Sequence, residues 1–209
     1  MKRAEAVGLA ALERYVKKMD ADDDFEDHDI PRTADEIARR SLALHCVIAA
    51  SHGVERDELV DGLKEERLWE FASPMEQRFL LNDSPTERES TNATWRVEAQ
   101  VALLWSIGKI TDLGTLSDQC NTTPMVDAIP DLGTSTADFI ESAELRTSES
   151  ISEEYEKVYD AHWKSRDAVR RNAAIPDNVD LGIVQELHYG FHWLTGYCGQ
   201  DWDEITTDT

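Results

Sequence analysis

The stretch Thr94–Gly108, TWRVEAQVALLWSIG, most limits what this chain can become. At about 100° per residue, Val97, Val101, Leu104 and Trp105 share one side of a helix, with Ala102 and Trp95 widening it. Leu103, Ile107 and Ala99 occupy the other side. A helix apolar on both sides belongs in the middle of a domain. Gly108 supplies its stop. Glu98 breaks the pattern, because it falls inside the apolar stripe while Arg96 points the opposite way. A carboxylate placed there needs a cation from another helix, or it takes up a proton.

Helix start signals divide the rest of the chain. Thr33 and Glu36 form a capping box, and Ser73-Pro74-Met75-Glu76 and Ser84-Pro85-Thr86-Glu87 are two more. The last of these is expected to open the central helix, with Ser90–Thr94 as a weaker middle. Ser150 and Glu153 form a fourth box, starting a helix that runs to about Asn172. Asn178–Asp180 caps a final helix over Leu181–Cys198. Shorter helices are expected over Glu55–Glu66, after Thr123-Pro124, and over Thr136–Leu145. No segment alternates as a strand would. The fold class read from this pattern is all-α, a single domain of about eight helices packed around Thr94–Gly108. Residues 30–209 form that domain. Residues 1–29 precede it as an amphipathic helix over residues 2–19 and an acidic linker, which lacks the central glycine and final glutamate of a calcium loop.

Several polar side chains fall on inward stripes. His45 lies within the stripe of the Thr33 helix and reads first as a neutral core histidine, second as a ligand or acid–base group. In the helix from Ser150, the stripe of Ile151, Tyr155, Val158, Tyr159 and Val169 also carries His162 and Arg166, four residues apart. Arg166 is therefore the expected partner of Glu98, with Asp167 and Trp163 completing the network. Glu98, Arg166, His162, His45, Asp167 and Arg96 make up the candidate buried polar cluster. Trp95, Trp105, Trp163 and Trp193 are the expected aromatic core. His188 and His192 stand one turn apart, a spacing two metal ligands can use. They lack the HExxH glutamate, and no ExxH pair of a di-iron bundle is present. No metal and no cofactor is expected. Nucleophile elbows, Walker loops and dinucleotide fingerprints are absent. Gly182 and Gly190 read as points of close helix packing.

Charge narrows the partners. The chain has 43 acidic and 21 basic residues, a net charge of −22. Such a surface repels phosphate backbones and anionic membranes, so neither nucleic acid nor membrane is expected, and a basic protein is the partner it would attract. Three cysteines with no CxxC spacing point to a reducing compartment, and no stretch reads as a signal peptide or a membrane span; the cytoplasm is the expected location. The leading functional expectation is a non-enzymatic helical interaction module, regulatory or immunity-like. Its rivals are a metal-dependent hydrolase built from Glu98, Arg166 and the histidines, and a small-anion pocket using Arg166 and Arg96.

The same stretches carry a resemblance. TWRVEAQVALLWSIGKI, together with RSLALHCVIAASHGVERDELVDGLKEERLWEFASPMEQRFL, HWKSRDA and WDEITTDT, resembles a widespread bacterial family, the domain of unknown function with serial number 4272. The likeness covers roughly Ile30 to Thr209. It rests on Trp95, Arg96 and Glu98 in the central helix and on Trp163, Arg166, Asp167 and Ala168 in the next long one. Where the family pattern closes on Asn-Trp, this chain has His192 and Trp193. The resemblance implies a shared fold and carries no activity with it.

Overall fold

A computed structural model describes residues 31–209. The helix expected over residues 2–19 and the acidic linker lie outside the described residues. Among the described residues there are eight α-helices and no strand: α1 Ala34–Ser51, α2 Arg56–Glu65, α3 Pro74–Leu80, α4 Glu87–Ser106, α5 Thr123–Ala128, α6 Ala137–Glu141, α7 Ser148–Arg170 and α8 Leu181–Thr195. None is long and apolar enough to cross a membrane.

The architecture follows from α4, which is buried on every side over its second half. Ala99, Val101, Ala102, Leu103, Leu104, Trp105 and Ile107 all lie in the core. It packs against α1 and α8, and α7 packs on α8. α4 and α8 come close because Gly190 has no side chain. A Cβ there would stand 2.8 Å from the Ala99 carbonyl oxygen and 3.1 Å from the Ala102 Cβ. Gly108, at φ 72°, ends α4. The Gly108 N–H donates to the Trp105 carbonyl at 3.1 Å and the Lys109 N–H to Leu104 at 2.9 Å, which satisfies two carbonyls at the helix end.

Local start signals place most helix ends. Thr33 with Glu36 and Ser73 with Glu76 form both halves of a capping box, and Asp180 caps α8. Two starts differ from expectation. α4 is capped by Thr86 with Glu89, two residues after the Ser84 box, and the Ser84 N–H donates instead to Asn82 Oδ1 at 3.0 Å. α7 is capped by Thr147, with Ser150 inside its first turn. The Ser90–Thr94 stretch does not interrupt α4; the Thr94 hydroxyl donates back to the Ser90 carbonyl at 3.0 Å.

The phase of α7 is a further correction. Its inward stripe is Tyr155, Val158, His162, Ser165 and Ala168. Tyr159, Trp163 and Val169 face outward, 38%, 46% and 55% exposed. Trp163 therefore does not belong to the aromatic core, whereas Trp105 and Trp193 are buried and Trp95 is half-buried.

The C-terminal segment is held down along its length. Trp202 and Ile205 are buried, Asp203 accepts from the Met75 N–H at 2.8 Å, and the Gln200 carbonyl accepts from Arg32 at 3.1 Å.

Candidate functional site

The six residues of the expected polar cluster do not converge. No hydrogen bond or ion pair among the described residues joins any two of them. Glu98 is buried, 1% exposed, as its place on the stripe requires. Its partner is the Cys120 backbone, whose N–H donates to Oε1 at 3.0 Å. Burial pushes the Glu98 acid up, the Cys120 hydrogen bonds oppose the shift, and the nearby charges of Glu186 and Asp180 add to it. The Cys120 thiol is pushed up to about 12 by burial and by Glu98 itself.

Arg166 is not the partner of Glu98. It is exposed and donates to the Thr207 carbonyl at 3.2 Å. Its charge acts instead on His162, disfavouring protonation of that ring. Asp167 forms no network with Trp163; it pairs along its own helix with Arg170 at 2.9 Å and Arg171 at 3.1 Å. His45 is half-buried and hydrogen-bonded by Gln100; burial lowers its pKa and Gln100 opposes the shift. Arg96 pairs with Glu186 at 2.9 Å, with the Tyr189 ring 3.9 Å from its guanidinium carbon.

Three histidines form a chain between α7 and α8. His162, His188 and His192 are at most 1% exposed. The Nδ1 atoms of His162 and His188 face each other at 2.8 Å, so one proton lies between two neutral rings. His188 and His192, one turn apart, have ring centroids 4.0 Å apart, and Tyr197 stacks on the far side of His192 at 4.0 Å. His192 Nδ1 donates to the Thr206 carbonyl at 2.7 Å, which leaves its Nε2 as a bare lone pair. The Nε2 atoms of His188 and His192 are buried without a partner. Burial draws His162 and His192 down to about 4; burial, and the repulsion two protonated rings would feel this close, draw His188 to about 2. No three imidazole, thiol or carboxylate groups among the described residues converge as ligands of one metal ion.

The strongest buried ion pair is one that stripe counting passes over. Arg40, 2% exposed in α1, grips both carboxylate oxygens of Glu76, at 2.7 and 2.5 Å, and also donates to the Phe71 carbonyl at 2.6 Å. The Trp202 ring lies 3.9 Å from its guanidinium carbon. Burial raises the Glu76 acid, but the Arg40 charge and hydrogen bonds, the Ser73 amide and Arg96 outweigh it and hold it down. Glu76 is thus a helix cap and an ion-pair partner at once. Tyr189 extends this assembly by donating its hydroxyl to the Trp202 carbonyl. The one signal for the pair was Arg40 in a helix with apolar neighbours on nearly every side, from Ile37 to Leu44.

Two accessible surface features adjoin residues already described. One is the outward side of α7, which exposes Tyr159 and Trp163 together with Glu153, Glu156, Lys157 and an Asp160–Lys164 pair at 2.5 Å. The other is a crevice of about 320 Å³ between α4 and α8, lined by Asn92, Trp95, Arg96, Gly182, Gln185 and Glu186. Trp95 and Arg96, two of the residues that carry the family resemblance, thus form part of its wall.

No curated protein and no solved structure matches the chain. Residues 21–205 match the family described as Domain of unknown function (DUF4272), a span that starts within the acidic run and covers all eight helices, and the chain belongs to that family.

Proposed function

We propose that this protein is a cytoplasmic, non-enzymatic helical module that binds a basic protein partner. The observation that carries the reading is the outward face of α7. Trp163 and Tyr159 are large aromatic side chains, 46% and 38% exposed, and lie one turn apart. Exposed Glu153, Glu156 and Asp160 lie on the same helix, with Asp160 already paired to Lys164 at 2.5 Å. Aromatic anchors rimmed by charge suit a protein interface, and a lysine or arginine laid over Trp163 gains a cation–π contact and can take over Asp160 from Lys164. The net charge of −22 would steer such a partner in. Burial of Glu98 and the three histidines to 1% or less supports the non-enzymatic part, because a substrate has no route to them without an opening of the domain.

The test is titration of the full chain with an arginine- and lysine-rich peptide, followed calorimetrically at low and high salt. Saturable binding is expected, weakening with salt and reduced about tenfold or more in Trp163→Ala and in Asp160→Lys. Binding that ignores both substitutions, or no binding at low salt, would overturn the proposal.

A further inference from the structure

We infer that α7 pairs antiparallel with α7 of a second copy of this chain, forming a weak symmetric dimer. The inference does not rest on the reading above. A basic partner and a second copy would use the same aromatic pair one at a time, and each association is measured without the other.

Spacing comes first. Ser152, Glu156, Tyr159, Trp163, Arg166 and Arg170 follow one another in α7 at alternating steps of four and three residues. At about 100° per residue they share a strip about 80° wide, clear of the buried Tyr155, Val158, His162 and Ser165. Ser152 is half-buried and the other five are exposed. A strip with this alternation is the seam along which one helix packs lengthwise on another. Its centre is the aromatic pair, 38% and 46% exposed, and its ends are polar. That is the layout of an interface, with an apolar middle and a charged rim.

The order of charge along α7 selects the occupant. The helix carries six acidic and four basic side chains, so it is nearly neutral on a chain of net charge −22, and two copies meet there with little local repulsion. Five of the six acids lie at or before Asp160, and three of the four bases at or after Lys164. A helix polarised in this way repels a parallel copy of itself and attracts an antiparallel one. With a two-fold axis level with Ala161, Tyr159 faces the partner's Trp163, Glu156 the partner's Arg166 and Ser152 the partner's Arg170, each contact occurring twice. Glu156 and Arg166 are also available for such a pair. Neither has an ion-pair partner among the described residues, and Arg166 spends one donor on the Thr207 carbonyl. The other bases of α7 are already paired within the helix, Lys157 with Glu154, Lys164 with Asp160 and Arg170 with Asp167. One helix pair buries less than a standard interface, so the association is weak and set by concentration.

Sedimentation equilibrium of the full chain tests this at about 0.15 M salt, where a Debye length of about 8 Å screens the repulsion between the two acidic bodies. A monomer–dimer equilibrium is expected, with Kd on the order of 10–100 μM. Glu156→Arg alone and Arg166→Glu alone each set like charges face to face twice, and each should weaken the dimer about tenfold or more. Mixing those two variants should recover it, because every pair across the axis is then opposite in sign. The double variant Glu156→Arg with Arg166→Glu should recover it as well, which a parallel arrangement would not do. Both side chains are exposed, so the unfolding midpoint should hold in all three. A monomer at every concentration, a dimer indifferent to both single changes, or single variants that stay apart when mixed would overturn the inference.

Discussion

The Cys120 backbone N–H donates to Glu98 Oε1 at 3.0 Å, and this amide, not a guanidinium, answers the one carboxylate within the apolar half of α4. A neutral donor stabilises a buried charge only in part, which is why burial still pushes the acid up. The consequence for pH has a definite sign. A group whose folded-state pKa lies above its unfolded value near 4.5 contributes stability at low pH and loses it as pH rises through the folded value. Glu98→Gln keeps an acceptor for the amide and removes the charge. At pH 7 it is expected to unfold in urea within about 1 kcal/mol of the parent, or above it, while Glu98→Leu orphans the amide and loses about 1–3 kcal/mol. A Gln variant several kcal/mol weaker than the parent would mean that a cation does reach this carboxylate.

Arg40 and Arg166 should respond to the same substitution to very different extents. Arg40 is 2% exposed and holds both oxygens of a buried Glu76, so Arg40→Met leaves a carboxylate alone in the core and should cost about 3–5 kcal/mol. Arg166 is exposed and makes one long hydrogen bond to the tail, so Arg166→Met should cost less than about 1 kcal/mol. Urea unfolding of the two variants side by side checks the ranking, and a larger loss at Arg166 would reverse the assignment of the structural arginine.

These residues show where sequence reasoning stops. Thr33, Ser73 and Gly108 act on amides and carbonyls within a few residues, so their roles are legible from spacing alone. The α4 core was equally legible, because an all-round apolar run has only one place to go. Glu98 could be seen to be buried, but its partner is 22 residues away in a stretch without periodicity, and Arg40 meets Glu76 across 36. Nothing local encodes such a pairing. α7 misled for a different reason. Its bulky apolar residues Tyr159, Trp163 and Val169 face out, while its inward stripe is filled by His162, Ser165 and Ala168. Tyr155, Val158 and His162 do face in as expected, but counting Tyr159 and Val169 with them turns the stripe too far round and carries Arg166 inward.

Gly190 sets two contributions against each other. Alanine there gains helix propensity of about 1 kcal/mol over glycine. Its Cβ would also stand 2.8 Å from the Ala99 carbonyl oxygen, a backbone atom that cannot rotate away. Overpacking of this kind costs about 1–3 kcal/mol, so Gly190→Ala is expected to lower the unfolding midpoint. A raised midpoint would show that α4 and α8 separate freely by the few tenths of an ångström required.

The histidine chain predicts how the domain fails in acid. His162, His188 and His192 are held neutral, with folded values of about 4, 2 and 4 against an ordinary 6.5. For a base whose folded value is depressed, the neutral form contributes stability above the unfolded value, and that stability is lost as pH falls from about 6.5 towards the folded value. Urea unfolding between pH 7.5 and 4 should therefore show stability dropping steadily below about pH 6.5. Protonating any ring places a cation between α7 and α8; at His192 the Thr206 carbonyl, which keeps its hydrogen bond from Nδ1, and Asp208 oppose the depression but do not overcome burial. Replacing His188 with Phe removes the ring with the deepest depression and should flatten the acid limb. In NMR titrations the Cε1 protons of the three rings should hold their neutral shifts from pH 8 to 5. Movement of any of the three near pH 6.5 in the folded protein would show that the chain is open to water.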